Sequence, residues 1–274
     1  MENELEDKII RSLAHIPLDY EEQKAFIKEE RRIKGVKWGT AGVFVLLGKY
    51  PASGNPLDDY YFLLNKRSLN VQQPGDLCYP GGHPNHWFDL ISSIFITPYI
   101  LPLKKNTGFK LNKKRNMESF SKIKYFLSTV LRESWEEIRL NPFRVDFLGA
   151  MRCYRLEAMH RVVFPMVGIM KEKARLKPNW EVEKILRIPL GALFSIDKHA
   201  KYRLRVKEEF KELFDGDCID NECYIHKEEG EPDEILWGAT YKITMSFLKE
   251  VFGFEMPDED NRPVIQGDLY PTDS

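Results

Sequence analysis

Two apolar runs, AGVFVLLGKY at 41 to 50 and DDYYFLLNKRS at 58 to 68, flank the turn-forming stretch PASGNP. Short segments rich in aliphatic and aromatic residues and bounded by Pro, Gly and Asn read as strands, and the short connection makes these two a hairpin. Beyond it, LCYPGGH supplies a short strand ending in a Pro-Gly-Gly turn, and SFSKIKYFLSTVLRESWEEIRL (119 to 140) reads as a helix with Phe126, Val130 and Leu131 inward. Strands resume at RVDFLGAMRCYR (144 to 155) and HRVVFPMVGIMKE (160 to 172), and helical patterns return at PLGALFSI and at 239 to 254. Residues 3 to 34 read as charged helix, with Ile9, Ile10, Leu13, Phe26 and Ile27 at roughly helical spacing. Interleaved strands and helices predict an α/β (α+β) layered domain.

With 274 residues and 43% hydrophobic content, the chain suits one large domain with additions. The expected division is a helical extension over 1–35, a main domain over 36–256 and a tail over 257–274. A net charge of -1, from 41 basic and 42 acidic residues, argues against a general pull toward nucleic acid or an anionic membrane. Any anionic ligand must be attracted locally. Cys78, Cys153, Cys218 and Cys223 are too scattered for a disulfide framework, and MENELEDKIIRS lacks the apolar core of a signal peptide, so a cytoplasmic protein is expected. WFDLISSIFITPYILPL (87 to 103) is interrupted by Asp89, Pro98 and Pro102 and is shorter than the roughly 20 residues of a spanning helix. The cations Lys104, Lys105, Lys110, Lys113, Lys114 and Arg115 follow it. This pair of segments reads as a surface insertion with a solvated basic loop, with a membrane-surface element as the alternative. HKEEGEPDE (226 to 234) reads as an acidic loop.

The chemistry concentrates in LRESWEEIRL, residues 131 to 140. Positions i, i+3 and i+4 share a helical face, so Glu133, Glu136 and Glu137 present their carboxylates together. Oxygen clusters of this kind suit Mg2+ or Mn2+. The competing reading is a solvated acidic face paired with Arg132 and Arg139. Ahead of the helix, Pro80, Gly81 and Gly82 form a turn at which backbone passes close to a ligand.

A glycine turn followed by Arg132-Glu133-Ser134-Trp135-Glu136-Glu137 resembles the box of the Nudix hydrolases. LLNKRSLNVQQPGDLCYPGG (63 to 82) resembles the extra signature of that superfamily's coenzyme A pyrophosphatase branch. FLGAMRCYR, LKPNWEVEKILRIPLGALF (176 to 194) and ILWGATYKITMSFLKEVFG (235 to 253) resemble later segments of the same branch, in the same order. The resemblance implies an α/β/α sandwich with a mixed β-sheet. It also implies that 83–120 is an insertion within the box, since Gly82 and Arg132 stand 50 positions apart where the family has about a dozen. Other departures are Arg139 at the box glycine, Ser134 at an apolar position, and Gln72 and Pro74 at usually basic and histidine positions. For the first box glutamate, Asp89 stands slightly late, Glu118 sits too early before the helix, and Lys124 occupies about the expected place.

What the resemblance implies is Mg2+ or Mn2+ on Glu133, Glu136 and Glu137, and hydrolysis of a small-molecule nucleoside diphosphate derivative, CoA or a CoA-like compound first. Arg132 would orient a box carboxylate, Glu181 or Glu183 are general-base candidates beside the box glutamates, and Gly81 and Gly82 would shape the turn under the phosphates. Arg67 is a candidate phosphate contact, with a salt bridge inside the fold as its equal competitor, and Trp237 is expected in the core. The alternative is a Nudix-fold module that binds a nucleotide or a protein without efficient turnover. A homodimer is compatible with either.

Overall fold

The structure, a computed structural model, describes residues 4–52, 54–95, 107–115, 117, 119–171, 174–205, 218–258 and 261–268. Two helices open the chain, α1 (Glu4–Leu13) and α2 (Tyr20–Lys34), followed by the hairpin strands β1 (Gly39–Lys49) and β2 (Tyr60–Arg67). Then come β3 (Leu77–Cys78), β4 (Gly81–Gly82), and the helices α3 (His86–Phe95), α4 (Thr107–Arg115) and α5 (Phe120–Ile138). The second half holds β5 (Val145–Ala150), β6 (Tyr154–Leu156), β7 (Arg161–Met170), β8 (Val182–Pro189), β9 (His199–Arg205), β10 (Cys218–His226), β11 (Glu234–Trp237), α6 (Gly238–Phe252) and β12 (Val264–Asp268).

Among the described residues, the main sheet has eight strands along the path β3-β2-β1-β7-β5, with β4 on β1, β6 on β7 and β8 on β2. β1 and β7 run parallel and the other pairs antiparallel, so the sheet is mixed. Side chains alternate between sheet faces with period two, and β2 displays it directly. Tyr61 and Leu63 join a core with Phe126, Val130 and Leu131 of α5, while Tyr60, Phe62 and Leu64 join one with Ile9 and Leu13 of α1 and Phe247 of α6. A helix layer thus covers each face. Phe126 stacks on Phe164 of β7 at 4.2 Å between ring centroids, pinning α5 to the sheet.

Several sequence expectations change. The Pro-Gly-Gly turn is a strand: Gly81 and Gly82 pair antiparallel with Val43 and Gly42 of β1. The run at 144 to 155 splits into β5 and β6, and PLGALFSI forms only 3-10 turns at Gly191–Phe194 and Ile196–Lys198. A second sheet, ordered β11-β10-β9-β12, stands where no strands are expected, and β12 lies inside the segment read as a tail. The N-terminal helices are built into the fold, α1 through Ile9 and Leu13 and the α1–α2 connection through the buried Leu18. Within 83–120, the segment expected to be an insertion, α4 is a helix rather than a basic loop. It buries Phe109 and Asn112 against β5 and leaves Lys110, Lys113, Lys114 and Arg115 exposed. Lys104, Lys105, Glu118 and the rest of the apolar stretch beyond residue 95 lie outside the described residues. Among the described residues, no helix is long and apolar enough to cross a membrane, and all four cysteines are free.

Candidate active site

The inward stripe of α5 holds Ile123, Phe126, Leu127, Val130, Leu131 and Ile138, all buried. That stripe fixes the rotation of the helix and aims its last two turns at β4 and the middle of β2. Ser134, at an apolar position of the box pattern, is fully buried and satisfies its hydroxyl by donating to the Val130 carbonyl at 2.6 Å. The helix ends with Arg139 in the left-handed region at φ 55°, its N–H donating to the Trp135 carbonyl at 3.0 Å. Glycine would adopt this conformation without strain, and arginine holds it at some cost.

Gly81 and Gly82 meet the carboxylates directly. The Gly81 N–H donates to Glu137 Oε1 at 3.4 Å, and Asn65 Nδ2 of β2 donates to Glu137 Oε2 at 2.7 Å. A Cβ added to Gly82 would stand 2.5 Å from Glu133 Oε1, so this glycine exists in contact with the carboxylate. A Cβ on Gly81 would collide with the Gly42 carbonyl oxygen and come within 2.8 Å of Val43 Cα. The two therefore fail differently. Gly81→Ala meets backbone and is expected to lower Tm. Gly82→Ala meets the end of a movable side chain and is expected to leave Tm within about 2 °C while displacing Glu133. Thermal melting beside an activity assay reads both; a Gly82→Ala protein with unaltered activity contradicts the close contact.

Arg132 is the hub of the charges. Its Nε donates to Asp89 Oδ1 at 2.9 Å and its Nη2 to Asp89 Oδ2 at 3.1 Å. Nη2 also reaches the His83 carbonyl and Glu133 Oε1, both at 3.0 Å, while Nη1 reaches Glu136 Oε2 at 3.0 Å. Burial works against this guanidinium's charge, but Asp89, Glu133 and Glu136 outweigh it and raise its pKa. Asp89 is fully buried and accepts further bonds from Thr129 Oγ1 at 3.0 Å and from the Asn85 N–H at 2.8 Å. Glu133 is raised by burial and by the charge of Glu136, against the pull of Arg132. Glu137 is pushed up to about 8, first by burial and then by Glu133 and Glu181, with the Gly81 and Asn65 bonds opposing.

That last dependence separates the two base candidates. Glu181 is close enough for its charge to act on Glu137, and its backbone is fixed by Ser68 N–H donating to its carbonyl at 2.8 Å. Glu183 is instead 3.2 Å from Lys66 Nζ, in a cluster with Glu234 and Lys184. Arg67 Nε donates to the Gln72 carbonyl at 2.6 Å and so holds the loop after β2. Trp237 is half-buried rather than core, and its Nε1 donates to Asp76 Oδ1 at 3.0 Å.

The donor set suits a hard divalent cation. Glu133, Glu136 and Glu137 offer only oxygen, and among the described residues Glu137 has no cationic partner and Asn65 Oδ1 beside it is buried without a hydrogen-bond partner. Among the described residues no group of three or more His, Cys, Asp or Glu stands as a ready cage. The reason is local: Arg132 holds both Glu133 and Glu136.

No family model matches the chain. Over 130 residues it is 25% identical to "Nudix hydrolase 22, chloroplastic" of Arabidopsis thaliana, covering 45% of this chain and 39% of that protein. This likeness supports the Nudix hydrolase superfamily. Among solved structures, a NUDIX hydrolase from Alicyclobacillus acidocaldarius is 13% identical, with 58% of this chain and 82% of that chain covered, at a TM-score of 0.37. The NUDIX domain of Shewanella oneidensis NrtR, complexed with ADP ribose, is 18% identical, with 61% and 84% covered, at a TM-score of 0.34.

β4 carries the two glycines, the end of α5 carries the three glutamates, and α3 and α4 lie between them in sequence. Of Asp89 and Lys124, the two candidate positions for the first box glutamate that the structure describes, Asp89 is the one that meets Arg132. Lys124 gives its carbonyl to Ser128 Oγ within the helix. The sequence missed Asn65 and His83 altogether, although His83 follows the glycines directly.

Proposed function

We propose that this chain is a Nudix pyrophosphohydrolase that uses Mg2+ or Mn2+ to cleave the diphosphate of a nucleoside diphosphate derivative, CoA or a CoA-like compound first. The observation that carries this reading is the contact of Gly82 with Glu133 and of Gly81 with Glu137, across 50 positions of sequence between Gly82 and Arg132. A decorative acidic helix face has no need of two glycines pressed against its carboxylates.

A divalent ion held by Glu133, Glu136 and Glu137 would neutralise phosphate oxygens and acidify a bound water. Arg132 orients Glu133 and Glu136, and is itself held in place by Asp89. Asn65 and the Gly81 N–H keep Glu137 in one rotamer. Bare backbone at Gly82 lets the Glu133 carboxylate lie against the strand, and bare backbone at Gly81 lets β4 pair closely with β1. Glu181 takes the proton of the attacking water, being the carboxylate outside α5 whose charge is felt at Glu137.

The test is a hydrolysis screen with Mg2+ or Mn2+ over CoA, NADH, ADP-ribose and dinucleoside polyphosphates, with Glu136→Gln as control. At least one compound should yield two phosphorylated products, at a rate that falls about a hundredfold or more in the variant. Equal, background-level release by both proteins from every compound would replace the enzyme with a binding module.

A further inference from the structure

β7 begins at Arg161, which pairs across the sheet with Gly39 of β1 and Leu156 of β6. Its Nη1 lies 3.3 Å from His83 Nδ1. His83 follows Gly82, and its carbonyl oxygen accepts from Arg132 Nη2 at 3.0 Å. Arg161 is therefore tied through one residue to the glycine that touches Glu133. Among the described residues, no carboxylate lies within ion-pair distance of its guanidinium. An arginine beside a carboxylate cluster would ordinarily be drawn into it. Here Arg132 occupies that place, and Arg161 is held off to the side by an imidazole nitrogen that accepts from it.

A guanidinium donates five hydrogen bonds in a fixed fork, and the contact with His83 engages one nitrogen. The remaining donors can take two phosphate oxygens at once, which ammonium groups cannot do. The exposed His83 ring, accepting at Nδ1, carries its proton on Nε2 and adds a further donor. A substrate diphosphate whose one side meets the acidic end of α5 through a cation needs a local positive charge on its other side, because a chain of net charge -1 exerts no general attraction on an anion.

We propose that Arg161, aimed by His83, is a phosphate-binding residue that grips the substrate's diphosphate from the side opposite the α5 carboxylates. The inference rests on the hydrolase reading for where the substrate lies, but it concerns binding alone. His83 is a positioning residue. Arg161 touches the ligand.

The experiment is calorimetric titration of ADP with Mg2+ into the full chain as wild type, Arg161→Ala and Arg161→Gln, with thermal melting of each. The dissociation constant for ADP should rise about tenfold or more in both variants, while Tm stays near the wild-type value. His83→Ala should produce a smaller rise in the same direction. Arg161→Gln, neutral and closer in size, is the deciding variant if the alanine protein melts early. Equal ADP affinity in wild type and Arg161→Gln overturns the proposal, as does wild-type protein that binds no ADP. Wild-type binding that depends on Arg161 without hydrolysis of any compound sustains it and defeats the enzyme reading instead.

Discussion

Replacing Glu137 with Gln is expected to abolish hydrolysis and, at alkaline pH, to stabilise the metal-free protein. Losing a group that merely supports a metal ligand lowers affinity or activity about 10–100-fold, and losing a ligand itself should cost more, about a thousandfold. The stability effect runs the other way because of what surrounds the carboxylate. Its pKa is raised from the ordinary 4.5 to about 8, chiefly by burial and then by Glu133 and Glu181. The folded protein thus keeps a proton that the unfolded chain releases. Its contribution to stability is complete below the unfolded value of 4.5 and is lost as pH rises through about 8. Metal-free wild type should accordingly lose Tm between about pH 4.5 and about pH 8, and Glu137→Gln should escape that part of the loss. At about pH 9 the variant should melt several degrees higher, since about 1 kcal/mol corresponds to 2–4 °C in a domain of this size. A variant that is active, or that shows the same pH slope as wild type, removes Glu137 from the centre of the site.

The second large effect belongs to Asp89. Its carboxylate is fully buried and accepts from Arg132 Nε and Nη2, Thr129 Oγ1 and the Asn85 N–H. Cutting it back to Ala strands these donors and leaves the Arg132 guanidinium with Glu133, the more exposed Glu136 and the His83 carbonyl. Breaking a buried pair by deleting one partner costs about 3–5 kcal/mol. Asp89→Ala should therefore lower Tm by about 10 °C, with a larger fractional loss of activity than of folded protein at room temperature. Asp89→Asn keeps the shape and should fall between. Melting curves within about 2 °C of wild type for the alanine variant would falsify the view that Asp89 anchors Arg132.

Asp89 also illustrates what the sequence could and could not convey. The helix half of the site was readable because α5 keeps an unbroken apolar stripe and its carboxylates sit at helical spacing. The hairpin was readable because β1 and β2 are apolar and bounded by a Pro- and Gly-containing turn. For the first box glutamate Asp89 stands slightly late, Glu118 too early and Lys124 about in place, and spacing does not say which residue folds back onto the helix. Of the two positions that the structure describes, the geometry joins Asp89 to Arg132. Glu181 and Glu183 were equal in sequence, two positions apart in an acidic strand. A lysine on the neighbouring strand, Lys66, separates them by drawing in Glu183. For Arg67 the sequence leaves a phosphate contact and an internal salt bridge equal, and it does not show the Gln72 carbonyl that accepts from its Nε. The second sheet escaped notice because β9 and β10, as in HAKYRLR and CIDNECYIH, mix charged and apolar residues. Such strands lack the apolar runs that announced the first sheet.

Whether the α5 carboxylates bind a divalent ion decides the function. Calorimetric titration of Mn2+ into wild type and Glu137→Gln at about pH 7 tests this without any substrate. Glu137 must lose its proton to become a ligand, so wild type should bind Mn2+ with net proton release, seen as a dependence of the heat on buffer ionisation. The variant should bind at least about tenfold more weakly and without that release. Equal Mn2+ binding by the two proteins, or none by wild type, would contradict the metal site.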